Sequence, residues 1–306
     1  MSDPWRGVWA AALTPMDASG RVRPQDLPAL LDDLARQGAH GALLLGTTGE
    51  GPSCSLAERL ALMQVAATAR PRPDFRLLVG TGTPSLDDTV WLTRAAFDLG
   101  FDGVVVLPPY YFRRADEPGL LAWFGQVLRR AVPADGALFA YHIPQVSGVG
   151  LSLEVLARLK DAFPRRFVGL KDSSGDPAWA QALAARFGRD LRAFTGNDRL
   201  LSHAWRHGAA GAITALGNLA AGVLRATWDA LEQGRDASAG QRALDALRTE
   251  MEALGVFAAG LKAVAPALRG WPRWGLKPPL RAPAAEAVAR ALPRLRHWLA
   301  RAAEAA

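Results

Sequence analysis

Eight times along this 306-residue chain a short apolar run gives way to a stretch with helical spacing, and that alternation limits the possible folds more than any other feature. The runs cover residues 8–13, 42–45, 76–79, 103–107, 137–141, 167–171, 191–195 and 211–214, each the length of a buried strand. Between them, Leu27, Leu30, Leu31 and Leu34 recur at i, i+3, i+4 and i+7, which is one face of a helix. Ser55-Leu-Ala-Glu58 reads as a capping box opening a helix that carries Leu56, Leu60 and Met63. Ser152 caps another, bearing Leu153, Leu156 and Leu159. Strands that alternate with helices make a parallel sheet, and eight βα units predict a closed α/β structure, the (β/α)8 TIM barrel. The competing architecture, a doubly wound sheet, lacks its marker here, since no Gly-x-Gly-x-x-Gly follows the first strand. On this reading residues 1–225 form the barrel and residues 226–306 a C-terminal helical extension packed on it.

Composition narrows the function classes. Half the residues are apolar and 21% charged, which excludes a disordered or fibrous chain. The single Cys54 leaves no disulfide framework and no cysteine zinc site, in keeping with a reducing compartment. Residues 208–224, the longest uncharged stretch, are rich in Ala and Gly and too short to span a bilayer, so they read as core. No early run is long enough for a signal sequence, and the chain is expected to be cytoplasmic, without a membrane partner. A net charge of +7 raises the question of nucleic acid. From residue 271 onward, however, seven basic residues face two acidic ones, and a helix there carries Arg290, Arg294, Arg296 and Arg301. A solvated face explains that run, and no nucleic-acid motif accompanies it, so no nucleic-acid partner is expected.

Only four of the 36 basic residues are lysines: Lys160, Lys171, Lys262 and Lys277. Where arginine is the default, a surviving lysine can mark a place where chemistry asks for an amine. Lys171 ends the sixth apolar run, and catalytic groups of a TIM barrel gather at the C-terminal ends of strands. An amine whose stem starts inside a barrel can attack a carbonyl; the alternative is a structural ion pair with Asp172 or Glu50. Tyr141 ends the preceding run, where a phenol can shuttle protons or simply fill the core. Tyr110 and Tyr111 follow the fourth run and suit a lid or an interface anchor. Gly46-Thr-Thr-Gly-Glu-Gly51 is either a nest of amides for a carboxylate or phosphate, or a plain tight turn. It is not a P-loop, because no Gly-Lys-Ser/Thr follows. His203 and His207 stand at i, i+4 without an acidic partner motif, so no metal site is expected.

Gly46-Thr-Thr-Gly-Glu50, Gly80-Thr-Gly82, Pro109-Tyr-Tyr111, Tyr141-x-Ile-Pro144 and Gly169-Leu-Lys171-Asp172 occur together in one order. Leu13-Thr-Pro-Met16 precedes them, and Gly255-Val-Phe257 and Gly260-Leu-Lys262 follow. In order and spacing this set resembles the dihydrodipicolinate synthase/N-acetylneuraminate lyase family over essentially the whole chain. The resemblance implies a class I, Schiff-base-forming aldolase or lyase on a (β/α)8 barrel, needing no metal or organic cofactor and built as a homotetramer, a dimer of dimers. It implies that Lys171 forms the imine, that Tyr141 relays protons, and that Thr47 hydrogen-bonds that tyrosine. Thr48, with Gly46 and Gly49, would bind the carboxylate of a 2-oxo acid. Tyr111 would reach across a subunit interface to complete the relay, and Ile213 would offer a backbone contact near the imine.

Substrate choice is where the motifs diverge. The synthase branch carries an arginine two residues after Tyr-x-x-Pro; Val146 stands there, which speaks against dihydrodipicolinate synthesis. Ser147-Gly148-Val149 looks more like the sialic acid lyase branch. That branch has an acid after the aspartate matching Asp198, but this chain has Arg199, and it has Ala215 where a hydroxyl is usual. With Gly196 and Asp198 beside it, Arg199 suits an anionic distal group on the substrate; a surface pair with Asp198 or a glutamate explains it as well. The expected reaction joins or cleaves pyruvate and an aldehyde, on a 2-keto-3-deoxy sugar acid or hydroxy-2-oxo acid. A dihydrodipicolinate synthase or a 2-keto-3-deoxy acid dehydratase is the alternative within the family, and a non-catalytic 2-oxo acid-binding barrel the alternative of another class.

Overall fold

The computed structural model describes residues 3–304. Strands and helices alternate in the order β1 (Gly7–Ala11), α1 (Leu27–Arg36), β2 (Gly41–Leu44), α2 (Leu56–Thr68), β3 (Arg76–Gly80), α3 (Leu86–Asp98), β4 (Gly103–Val106) and α4 (Glu117–Ala131). They continue with β5 (Ala137–His142), the single turn α5 (Pro144–Ser147), α6 (Leu153–Ala162), β6 (Phe167–Asp172), α7 (Pro177–Phe187), β7 (Arg192–Thr195), α8 (Leu201–Arg206) and β8 (Gly211–Thr214). Four helices follow, α9 (Gly217–Glu232), α10 (Ser238–Glu252), α11 (Phe257–Arg269) and α12 (Ala285–Glu304). The strands form a closed barrel in the order β1 to β8, the TIM barrel that the alternation predicts. Strand limits differ from the apolar runs by two residues at most, and two of the differences have a cause. β1 stops at Ala11 because the Leu13 amide is taken by the Asn218 side chain. β2 stops at Leu44 because Leu45 turns into the left-handed region at φ 56°.

Packing divides the chain into two compact units, Met1–Arg6 with Arg76–Ala212, and Gly7–Phe75 with Ile213–Ala306. In the first, β3 to β7 pair parallel in sequence order, and Phe194 of β7 stands opposite Gly211 at the start of β8. Phe139 and Phe194 meet edge to face at 5.7 Å, and Trp5 closes on Phe139 at 5.1 Å. Short polar side chains fix where α3, α4, α6 and α7 start. Ser85, Asp116, Ser152 and Asp176 accept from the backbone amides of Asp88, Gly119, Val155 and Ala178, satisfying donors the helix itself cannot.

In the second unit β1 pairs with β2, and α1 buries the Leu27, Leu30, Leu31 and Leu34 face. The capping box is complete: Ser55 Oγ accepts from the Glu58 amide while the Glu58 carboxylate accepts from the Ser55 amide. α9 packs on β1, and α10, α11 and α12 pack on one another and on α9. Residues 211–214 and most of 217–224 are buried, as core. The four arginines of α12 face solvent. Among the described residues no single helix is long and apolar enough to cross a membrane.

Candidate active site

The register of β5 against β6 sets the site in the first unit. A shift between Leu138 and Phe139, a bulge that re-aims the strand, is followed by regular pairing of Tyr141 with Lys171 and His142 with Asp172. Gly169 allows that approach, since a Cβ there would strike the Arg192 carbonyl and the Phe139 ring. Because side chains alternate along a strand, Tyr141 and Lys171 share one face of the sheet and His142 and Asp172 the other. Lys171 Nζ donates to the Tyr141 hydroxyl at 3.2 Å and stands 4.3 Å from the centre of its ring. The lysine is only 3% exposed. Its partner is therefore the phenol, rather than Asp172 or Glu50.

The opposite face is structural. His142 stacks on Trp179 at 4.8 Å, its Nδ1 accepts from the Leu151 amide at 3.1 Å, and burial pushes its pKa down to about 4. Asp172 accepts from the Ser174 amide at 2.9 Å, and burial holds its carboxyl above the usual carboxylate range. After β7, the Gly196 amide donates to the Asp172 carbonyl at 2.6 Å, so close to Ser173 that only glycine fits. Asp198 is fully buried, and the Arg199 amide donates to Asn197 Oδ1 at 3.1 Å. Tyr111 is 75% exposed and meets Phe112 edge to face at 5.3 Å. Gly148, at φ 70°, leaves the space that the Arg113 side chain fills, so a cation lies over the turn that carries Val146. His203 and His207 face each other at 4.5 Å. Among the described residues no group of three or more His, Cys, Asp or Glu is placed to share a metal ion.

In the second unit Gly46, Thr47, Thr48 and Gly49 follow β2 in a turn closed by the Glu50 amide on the Thr47 carbonyl and the Gly51 amide on the Gly46 carbonyl, both at 3.1 Å. Thr14 Oγ1 donates to the Gly49 carbonyl at 2.6 Å. Thr48 is buried and Thr47 half-buried. Ile213 and Thr214 are buried at the end of β8. The turn has an anchor that sequence reasoning missed: Glu50 pairs with Lys262, both fully buried. Lysine scarcity, the signal that singled out Lys171, applied equally to Lys262.

The chain matches the dihydrodipicolinate synthetase family over residues 4–297. It belongs to that family. Over 249 residues, 81% of this chain and 82% of the other, it is 45% identical to an uncharacterised DapA-like lyase of Chloroflexus aurantiacus. It is 35% identical to a 4-hydroxy-tetrahydrodipicolinate synthase of Synechococcus over 236 residues, 77% of this chain and 76% of the other. Among solved structures it superposes on YagE of Escherichia coli K12 in complex with pyruvate, with a TM-score of 0.89, 25% identity and coverage of 96% and 98%. The N-acetylneuraminate lyase of Proteus mirabilis matches with a TM-score of 0.86, 27% identity and the same coverage. As a member of the dihydrodipicolinate synthetase family the chain is an enzyme, a carbon–carbon lyase of the class I aldolase type.

Proposed function

We propose that this lyase takes pyruvate or a related 2-oxo acid as an imine on Lys171 and cleaves it from, or joins it to, an aldehyde, acting on a 2-keto-3-deoxy sugar acid or hydroxy-2-oxo acid. The observation that carries the reading is the buried Lys171 with its amine 3.2 Å from the Tyr141 hydroxyl. In this reading the neutral amine attacks the keto carbon, and proton transfers expel the carbonyl oxygen as water to leave a protonated imine. The C4 hydroxyl gives up its proton as the C3–C4 bond breaks. The electron pair moves through C3 into the imine nitrogen, giving an enamine and a free aldehyde. Protonation at C3 and hydrolysis then return pyruvate and the free lysine. Tyr141 holds and moves the protons, with Thr47 and Tyr111 completing the relay, while Thr48, Gly46 and Gly49 hold the substrate carboxylate and Ile213 lends a backbone contact. The lysine supplies the electrophile, so the reaction is assigned no other cofactor. Val146, where a synthase carries an arginine, speaks for an aldehyde other than the synthase's, and a homotetramer would give the exposed Tyr111 a neighbouring subunit to enter.

Incubation with pyruvate and borohydride, followed by peptide mass mapping, tests the imine. The reduced adduct is expected on Lys171 and absent from Lys171→Arg. An adduct elsewhere, or none, overturns the assignment. An aldehyde panel run in the condensation direction then identifies the partner, and preference for aspartate semialdehyde would restore the synthase reading.

A further inference from the structure

We propose that the buried Glu50–Lys262 ion pair is a positioning device for the turn of residues 46–51 and thereby sets the affinity for the substrate carboxylate. The inference rests on the reading of that turn as a carboxylate cradle. Its starting point is a backbone that the sequence does not favour. Leu45, just before the turn, and Glu50, within it, both adopt left-handed conformations, at φ 56° and 52°, which residues with a Cβ avoid. Such conformations persist where the surroundings over-determine them. There is also no slack between the two. A Cβ on Gly51 would collide with the Leu45 carbonyl, and one on Gly49 would lie 2.8 Å from the Ala12 carbonyl and 3.0 Å from the Leu45 amide nitrogen.

What over-determines the turn is the Glu50 carboxylate. Its Oε1 receives Lys262 Nζ at 2.5 Å and its Oε2 receives the Lys277 amide at 3.1 Å. Lys262 Nζ also donates to the Gly275 carbonyl at 2.7 Å. The two side chains are 0% and 1% exposed. One ammonium thus ties the turn after β2 to α11 and to the segment beyond it. A compact amine with three donors can serve a carboxylate and a carbonyl at once, which accounts for a lysine in a chain that otherwise prefers arginine.

Stability alone is a poor reason for the pair. Desolvating two charges costs roughly what their attraction returns, and apolar replacements of such pairs are often neutral or stabilising. Holding one conformation of a loop is a role that an apolar pair would not fill. Lys262 also neutralises Glu50, so that an anionic substrate group seated in the turn does not meet an uncompensated buried carboxylate.

The test uses the full chain and three variants: Glu50→Gln, Lys262→Met, and the two combined. Pyruvate is titrated against borohydride trapping, and in parallel by calorimetry without borohydride, with Tm recorded for each protein. Each single variant is expected to lose Tm, because it leaves a buried charge or amide without its partner. In the double variant Tm recovers toward wild type, while half-saturating pyruvate stays raised about tenfold in all three, about 1.4 kcal/mol of binding. The plateau of trapping at Lys171 is expected to hold. A double variant that regains wild-type half-saturation together with Tm would reduce the pair to packing and overturn the proposal, as would unchanged half-saturation in folded single variants. Calorimetry separates the two readings. Wild type that binds pyruvate without forming an adduct overturns the role of Lys171 and leaves the variants' Kd to decide the role of the turn. Wild type that does not bind pyruvate overturns both.

Discussion

An amine and a phenol at the ends of adjacent strands serve each other only if the phenol keeps its hydroxyl, and that separates two functions of Tyr141. Its ring lies under the Lys171 amine at 4.3 Å, a contact that phenylalanine preserves, while its hydroxyl accepts from the amine at 3.2 Å. Tyr141→Phe is therefore expected to fold and still to give some adduct with pyruvate and borohydride. Its kcat in aldol cleavage should fall roughly 10²- to 10⁴-fold, the range lost with a positioned acid–base group. A kcat within threefold of wild type would assign the protons to another group. Lys171 and Tyr141 were both legible in the sequence, one through the scarcity of lysine and the other through the rule that neighbouring strands end side by side. The partner of Glu50 was not, because Lys262 lies 212 residues away and no local pattern links the two. Nor was Arg113, whose place over Gly148 depends on a left-handed turn and on two loops meeting.

Elements were legible to the extent that their signals are local. The capping box at Ser55, the cap at Ser152 and the leucine face of α1 are short-range patterns, and all three stand as read. Ends set by distant groups were not legible. β1 ends where Asn218, at the start of α9, accepts from the Leu13 amide at 3.0 Å through Oδ1 and donates to the Ala11 and Ala215 carbonyls, each at 2.8 Å, through Nδ2. Two residues further on α9 breaks at Ala220, with φ −132° and ψ 34°. Asn218 is fully buried, so Asn218→Ala leaves a backbone amide and carbonyls without these partners where water does not replace them. The expected loss is about 1–3 kcal/mol, seen as a lower Tm with the far-ultraviolet spectrum retained. A Tm unchanged within a degree would show that β1 and α9 are joined by packing alone.

At the scale of the molecule, the net charge of +7 says little about partners and more about acid. As carboxylates protonate, positive charge accumulates and opposes the compact state. Histidines held away from water sharpen the effect. Burial holds the pKa of His142 down to about 4, against 6.5 unperturbed, and lowers that of His40 as well. Between those two values the unfolded chain binds the His142 proton and the folded chain refuses it, so stability rises with pH across the window. The contribution is fully present above pH 6.5 and is lost as pH falls toward 4. For His142 the contribution is at most on the order of 3 kcal/mol. Asp172, held above the usual range by burial, works in the opposite sense, its contribution being lost as pH rises through its folded pKa. A single substitution isolates the histidine. His142→Gln offers an oxygen to the Leu151 amide and does not titrate, so its Tm should fall less than that of wild type between pH 7 and pH 5. Parallel curves would mean that the His142 imidazole protonates without leaving its stack on Trp179, and that acid acts on this fold through other groups.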